Sequence, residues 1–84
     1  MKYRLTAHAR ERMEQSGITE DMLATTVNSP EARIPDESSK YIYQRRFIHP
    51  SGKRFMLRVV VDEEQMPVSI VTIYAASRYS RYLR

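Results

Sequence analysis

The chain has no cysteine, two glycines and two histidines in 84 residues, and each scarcity removes a class of chemistry. Without cysteine there is neither a disulfide nor a thiolate metal site. Gly17 and Gly52 stand too far apart to form a glycine-rich loop around a nucleotide phosphate. His8 and His49 lie forty-one residues apart, with no HExxH pair and no clustered carboxylates on a shared element. No metal and no other cofactor is therefore expected. Asp62-Glu63-Glu64 reads as an exposed turn, and nothing supports a serine triad. Long apolar runs are missing too. MKYRLTAHAR lacks the apolar core of a signal peptide, and no stretch approaches membrane length. A soluble, cytoplasmic protein without a membrane partner is the expectation.

What is present is charge, unevenly spread. The net charge is +4. Residues 1–39 hold five Lys/Arg against seven Asp/Glu, and residues 40–84 hold nine against three. Five of the six tyrosines share the basic half. Cations interleaved with rings suit nucleic acid, because cations meet phosphates while rings stack on bases. A sheet with charged, aggregation-resistant edges has the same composition. The length allows one domain, 1–84, with a modest core; a monomer or weak homodimer is expected.

The first part of the chain reads as two short helices. Thr6 is placed to cap the first, with Gly17 as its left-handed stop. Thr19 caps the second, Glu20 and Asp21 complement its dipole, and Ile18 can staple to Leu23. Met22, Leu23, Thr26 and Val27 form its apolar stripe, and Asn28-Ser29-Pro30 ends it. Strands are predicted over Tyr41–His49, Arg54–Val61 and Val68–Ala75, with Ala32–Ile34 as a short edge strand. HPSGK turns the first of these into the second. The fold class is α+β: two N-terminal helices on one face of a small antiparallel sheet of three to four strands. Alternation puts Phe55, Leu57, Val59 and Val61 on the helix side, with Val71 and Ile73 of the last strand together. Arg58, Ile70, Thr72 and Tyr74 then fall on the other, more open face. The segment 77–84, SRYSRYLR, is a basic tail whose Arg78, Tyr79 and Arg81 could follow a phosphate backbone or pack on the sheet.

One pairing of residue types points to chemistry. His8 sits in the first turn of the first helix, near the positive end of its dipole, and Arg12 lies one turn on along the same face. Imidazole takes or gives a proton near neutral pH, and guanidinium stays charged. Cleavage of RNA by its own 2′-hydroxyl needs those two functions, a base and a cation for the phosphorane-like transition state. A histidine bonded to the helix backbone above a solvated arginine is the plainer reading of the same spacing. His49, before Pro50 in a turn, is the weaker candidate.

Thr6-x-His8-Ala9-x-x-Arg12-Met13, then Gly17-Ile18-Thr19, then Ile70-Val71-Thr72-Ile73-Tyr74 resembles a family of small bacterial proteins, domain of unknown function 4258. The likeness spans nearly the whole chain. That family is in turn similar to the RelE- and barnase-like ribonuclease toxins. The resemblance implies a toxin-type ribonuclease acting without metal on RNA, free or ribosome-borne, encoded beside an acidic antitoxin protein. It implies His8, Arg12, Thr72 and Tyr74 as catalytic residues. Strand geometry adds Arg58, and the tail adds Arg78, Tyr79 and Arg81, as substrate-binding groups. Ser16 stands where relatives carry an arginine, which removes one cation. The alternative is a non-catalytic module that binds nucleic acid or an acidic protein through the same basic face.

Overall fold

The computed structural model describes residues 1–77. Its elements run β1 (Tyr3–Leu5), α1 (Ala7–Gln15), α2 (Glu20–Asn28), β2 (Ala32–Pro35), β3 (Tyr41–Ile48), β4 (Arg54–Asp62) and β5 (Val68–Ala76). The strands form one five-stranded sheet in the order β1-β5-β4-β3-β2. The α+β class and the two helices agree with the sequence reading, but the sheet has five strands rather than three to four. The added strand is β1, which pairs parallel to β5 while the other neighbours are antiparallel. Among the described residues no helix is long and apolar enough to cross a membrane.

Both helices begin at the expected caps. Thr6 Oγ1 accepts the Ala9 N–H at 3.1 Å, and Thr19 Oγ1 accepts the Met22 N–H at 3.1 Å. Gly17, at φ +65°, turns the chain between them in the conformation that glycine adopts without strain. Ala9, Ile18, Leu23 and Val27 pack against Tyr43, Leu57, Val59, Val61, Ile70 and Ile73 in one cluster of buried side chains. That cluster marks the helix side of the sheet.

Ile70 belongs to the helix side, contrary to the alternation read from sequence. A bulge between Val60 and Val61 is the reason: Val61 pairs with Ile70 but Val60 pairs with Thr72. Val71 is the extra residue, so Ile70 and Ile73 both point at the helices while Thr72 and Tyr74 point away. Thr6 anchors this irregularity. Its N–H donates to the Ile70 carbonyl at 3.1 Å and its hydroxyl to the Val71 carbonyl at 3.0 Å. Thr6→Ala removes a cap and the hydroxyl tie to β5, and is expected to cost about 1–2 kcal/mol of stability in urea denaturation.

Two carboxylates brace the β2 side of the sheet. Glu63 takes hydrogen bonds from Arg33 and from the Tyr43 hydroxyl, and Arg33 lies over the Tyr41 ring at 3.6 Å. Glu31 accepts the Arg46 backbone N–H at 2.8 Å and its Nε–H at 3.0 Å. The hydrogen bond from Arg33 holds the Glu63 carboxyl below its ordinary range, and that from Arg46 does the same for Glu31. Lowered carboxylates stabilise the fold above the ordinary range and lose that contribution as pH falls through the folded values. Thermal midpoints should therefore drop between about pH 5 and pH 3. The drop should be shallower in the Glu31→Gln/Glu63→Gln double variant.

Candidate active site at the edge of β5

β1 covers β5 only as far as Ile70. Beyond that point the chain leaves the sheet at Thr6 and starts α1, so the first turn of the helix stands beside the uncovered edge of β5. From there His8 reaches Thr72. Its Nε2 lies 3.1 Å from Thr72 Oγ1, across 64 residues of sequence. The ring is exposed and the threonine half-buried.

Thr72 and Tyr74 share the face away from the helices, two strand residues and thus about 7 Å apart. Arg58 stands opposite Tyr74, and Gln44 opposite Arg58, in one row across three strands. Arg58 Nη1 donates to the Tyr74 hydroxyl at 2.5 Å, and its Nε–H donates to Gln44 Oε1 at 3.1 Å. Its guanidinium carbon lies 5.5 Å from the Tyr74 ring centroid, near enough for cation–π attraction. The structure thus joins four polar groups into two linked pairs, His8 with Thr72 and Arg58 with Tyr74.

The position of Arg58 departs from expectation. It shares the face of Thr72 and Tyr74 but is only 8 % exposed, so it is no open surface cation. Gln44 of β3 and Tyr74 of β5 each accept a hydrogen bond from it. Arg12 is half-buried in the last turn of α1, one turn from His8 on the same helix face. His49 belongs elsewhere. It lies in the β3–β4 turn, with Ser51 N–H donating to its Nδ1 at 3.1 Å. Thr72 lies level with Val60, six strand residues or roughly 20 Å from the turn end of β4, so a two-imidazole site does not form. Arg78, Tyr79 and Arg81 lie outside the described residues. Among the described residues, no three His, Cys, Asp or Glu side chains gather as a metal ion would need.

Two participants were missed in the sequence. Gln44 is buried and bonded to Arg58, and Thr6 positions the helix that carries His8. The signal for Gln44 was present in HPSGK. A turn that closes His49 on Lys53 puts residue 44 opposite residue 58 by simple counting. The signal for Thr6 was its capping role, which says nothing of its second bond.

No curated protein matches the chain, and no solved structure does. A family model described as Domain of unknown function (DUF4258) matches residues 5–75, a span that takes in His8, Arg12, Arg58, Thr72 and Tyr74. The chain, with its His8–Thr72 and Arg58–Tyr74 pairs inside that span, belongs to the DUF4258 family.

Proposed function

We propose that the protein is a toxin-type endoribonuclease that cleaves RNA by general acid–base chemistry without a metal, akin to the RelE- and barnase-like toxins. The observation that carries this reading is the approach of His8 Nε2 to Thr72, beside a tyrosine hydroxyl held by a buried arginine. Two proton-transferring groups, His8 and Tyr74, then stand by the uncovered end of β5, with the Arg58 guanidinium on the Tyr74 hydroxyl and Arg12 one helix turn from His8. With Nε2–H of His8 donating to Thr72 Oγ1, the ribose 2′-hydroxyl gives its proton to the other ring nitrogen, Nδ1, and the 2′-oxygen bonds to phosphorus. The bond from phosphorus to the 5′-oxygen breaks, and that oxygen takes the proton of the Tyr74 hydroxyl. Arg58 compensates the charge left on Tyr74, Arg12 faces the non-bridging phosphate oxygens, and Thr72 orients the imidazole. The products are a 2′,3′-cyclic phosphate and a free 5′-hydroxyl, and water returns the proton from His8 to Tyr74. RNA is the substrate in this reading, and an acidic antitoxin is the partner that would cover the basic face.

The test is incubation of purified protein with RNA, with and without a chelator, beside DNA of the same sequence. RNA should be cut to cyclic-phosphate ends at equal rates in both buffers, and DNA should survive for want of the 2′-hydroxyl. RNA left intact by the wild type would end the enzymatic reading. One observation favours a binding module instead: Arg58 is already committed to Gln44 and Tyr74. That version requires salt-sensitive RNA binding with no cleavage.

A further inference from the structure

The β3–β4 hairpin end carries a second feature, outside the His8 site. A depression of about 240 Å³ opens there, lined by Arg46, Phe47, Ile48 and Arg54. Ile48 pairs with Arg54 and Arg46 with Met56, in the same register that pairs Gln44 with Arg58. Even-numbered β3 residues therefore share the face of Tyr74 and Thr72. Ile48 is 69 % exposed, an apolar side chain in water between arginines.

The backbone adds a donor. His49 N–H bonds to the Lys53 carbonyl at 2.7 Å, so the odd residues of β3 direct their N–H groups at β4 and the even ones away from it. Arg46 N–H, on the outer side, donates to Glu31 Oε1 at 2.8 Å. The Glu31 carboxylate also takes the Arg46 guanidinium, at 3.0 Å and 3.1 Å. One anion thus already sits at this edge, bound by a backbone N–H and an arginine together. β2 pairs with β3 only as far as Gln44, so Ile48 N–H repeats the arrangement one step further out, past the end of β2. On the other side of β3, Arg54 of β4 pairs with Ile48 and shares the face of its side chain, and Lys53 is next in the chain.

We infer that this hairpin end is a phosphate subsite for a single RNA strand, using Arg54, Lys53 and the Ile48 N–H, with a base resting on the exposed Ile48. The subsite rests on the ribonuclease reading only for the identity of the strand. It lies roughly 20 Å along β4 from the level of Thr72, so a strand of several nucleotides reaches both places on one face. A dinucleotide fills only the first.

The experiment is binding of fluorescein-labelled 2′-O-methyl oligonucleotides, which cannot be cleaved, followed by anisotropy over a series of salt concentrations. Strands of increasing length are compared, starting from the dinucleotide. Affinity should step up when the strand becomes long enough to span both places. Arg54→Ala and Lys53→Ala should each abolish part of that step and reduce the salt slope by about 0.7 for each phosphate no longer neutralised. Lys2→Ala is the charge control, since Lys2 precedes β1 at the opposite end of β5 and β4. Equal losses with Lys2→Ala, an unchanged slope with Arg54→Ala, or failure of every oligonucleotide to bind overturns the subsite. Absence of RNA cleavage together with an Arg54-dependent step would overturn the ribonuclease reading and keep the subsite. Thermal melting of each variant checks that the fold is intact.

Discussion

His8→Ala is expected to slow RNA cleavage by about 10²–10⁴-fold, the usual contribution of one positioned proton-transfer group. The same substitution should leave stability within about 0.5 kcal/mol, because the ring is exposed and its hydrogen bond to Thr72 is open to water. That separation makes the result interpretable: a stable, inactive variant identifies chemistry, whereas an unstable one identifies packing. Thr72→Val keeps the side chain's shape but removes the hydroxyl that holds Nε2, so it should slow cleavage less than loss of the imidazole itself. Tyr74→Phe removes the proposed proton donor and one of the acceptors of Arg58. Its rate should fall together with a measurable loss of stability, since a buried guanidinium then loses an acceptor. Equal cleavage by wild type and His8→Ala would remove the imidazole from the mechanism, whatever the other two variants did.

The parts legible in the sequence were those set by local chemistry. Thr6, Gly17 and Thr19 punctuate the helices through their own backbone and hydroxyl preferences, and nothing distant changes that outcome. The hairpin turn carried the β3–β4 register in the same way, including the Gln44–Arg58 row. Other features were not local. Tyr3–Leu5 is three residues long and becomes a strand only because the edge of β5, more than sixty residues away, is there to pair with it. His8 reaches Thr72 because that short strand stops where it does. On β5 the alternation set Thr72 and Tyr74 on the face of Arg58, where they lie, but it misplaced Ile70 because strict alternation contains no bulge. The charge of Arg58 and its position on the strand were readable in the same way, while its burial was not.

The bulge itself makes a prediction that strict alternation reverses. Ile70 is fully buried in the core beside Val61, whereas Val71 is half-buried and outside that cluster. Ile70→Ala should therefore cost about 2–5 kcal/mol, through lost apolar burial and the cavity left against rigid neighbours. A chain of 84 residues has about 4–12 kcal/mol of stability in total. The loss would bring Ile70→Ala close to unfolding at room temperature. Val71→Ala keeps the carbonyl that accepts the Thr6 hydroxyl and trims a side chain that already meets water. It should cost under about 1 kcal/mol. Urea midpoints of the two variants decide the matter. The reverse order, Val71→Ala the more damaging, would mean that β5 runs without the extra residue. Thr72 and Tyr74 would then share the face of Ile70. Thr72 stays level with Val60 and Tyr74 with Arg58 on the open face in either case, so the two midpoints test the register at Ile70 and Val71 separately from the pairs that His8 and Arg58 make.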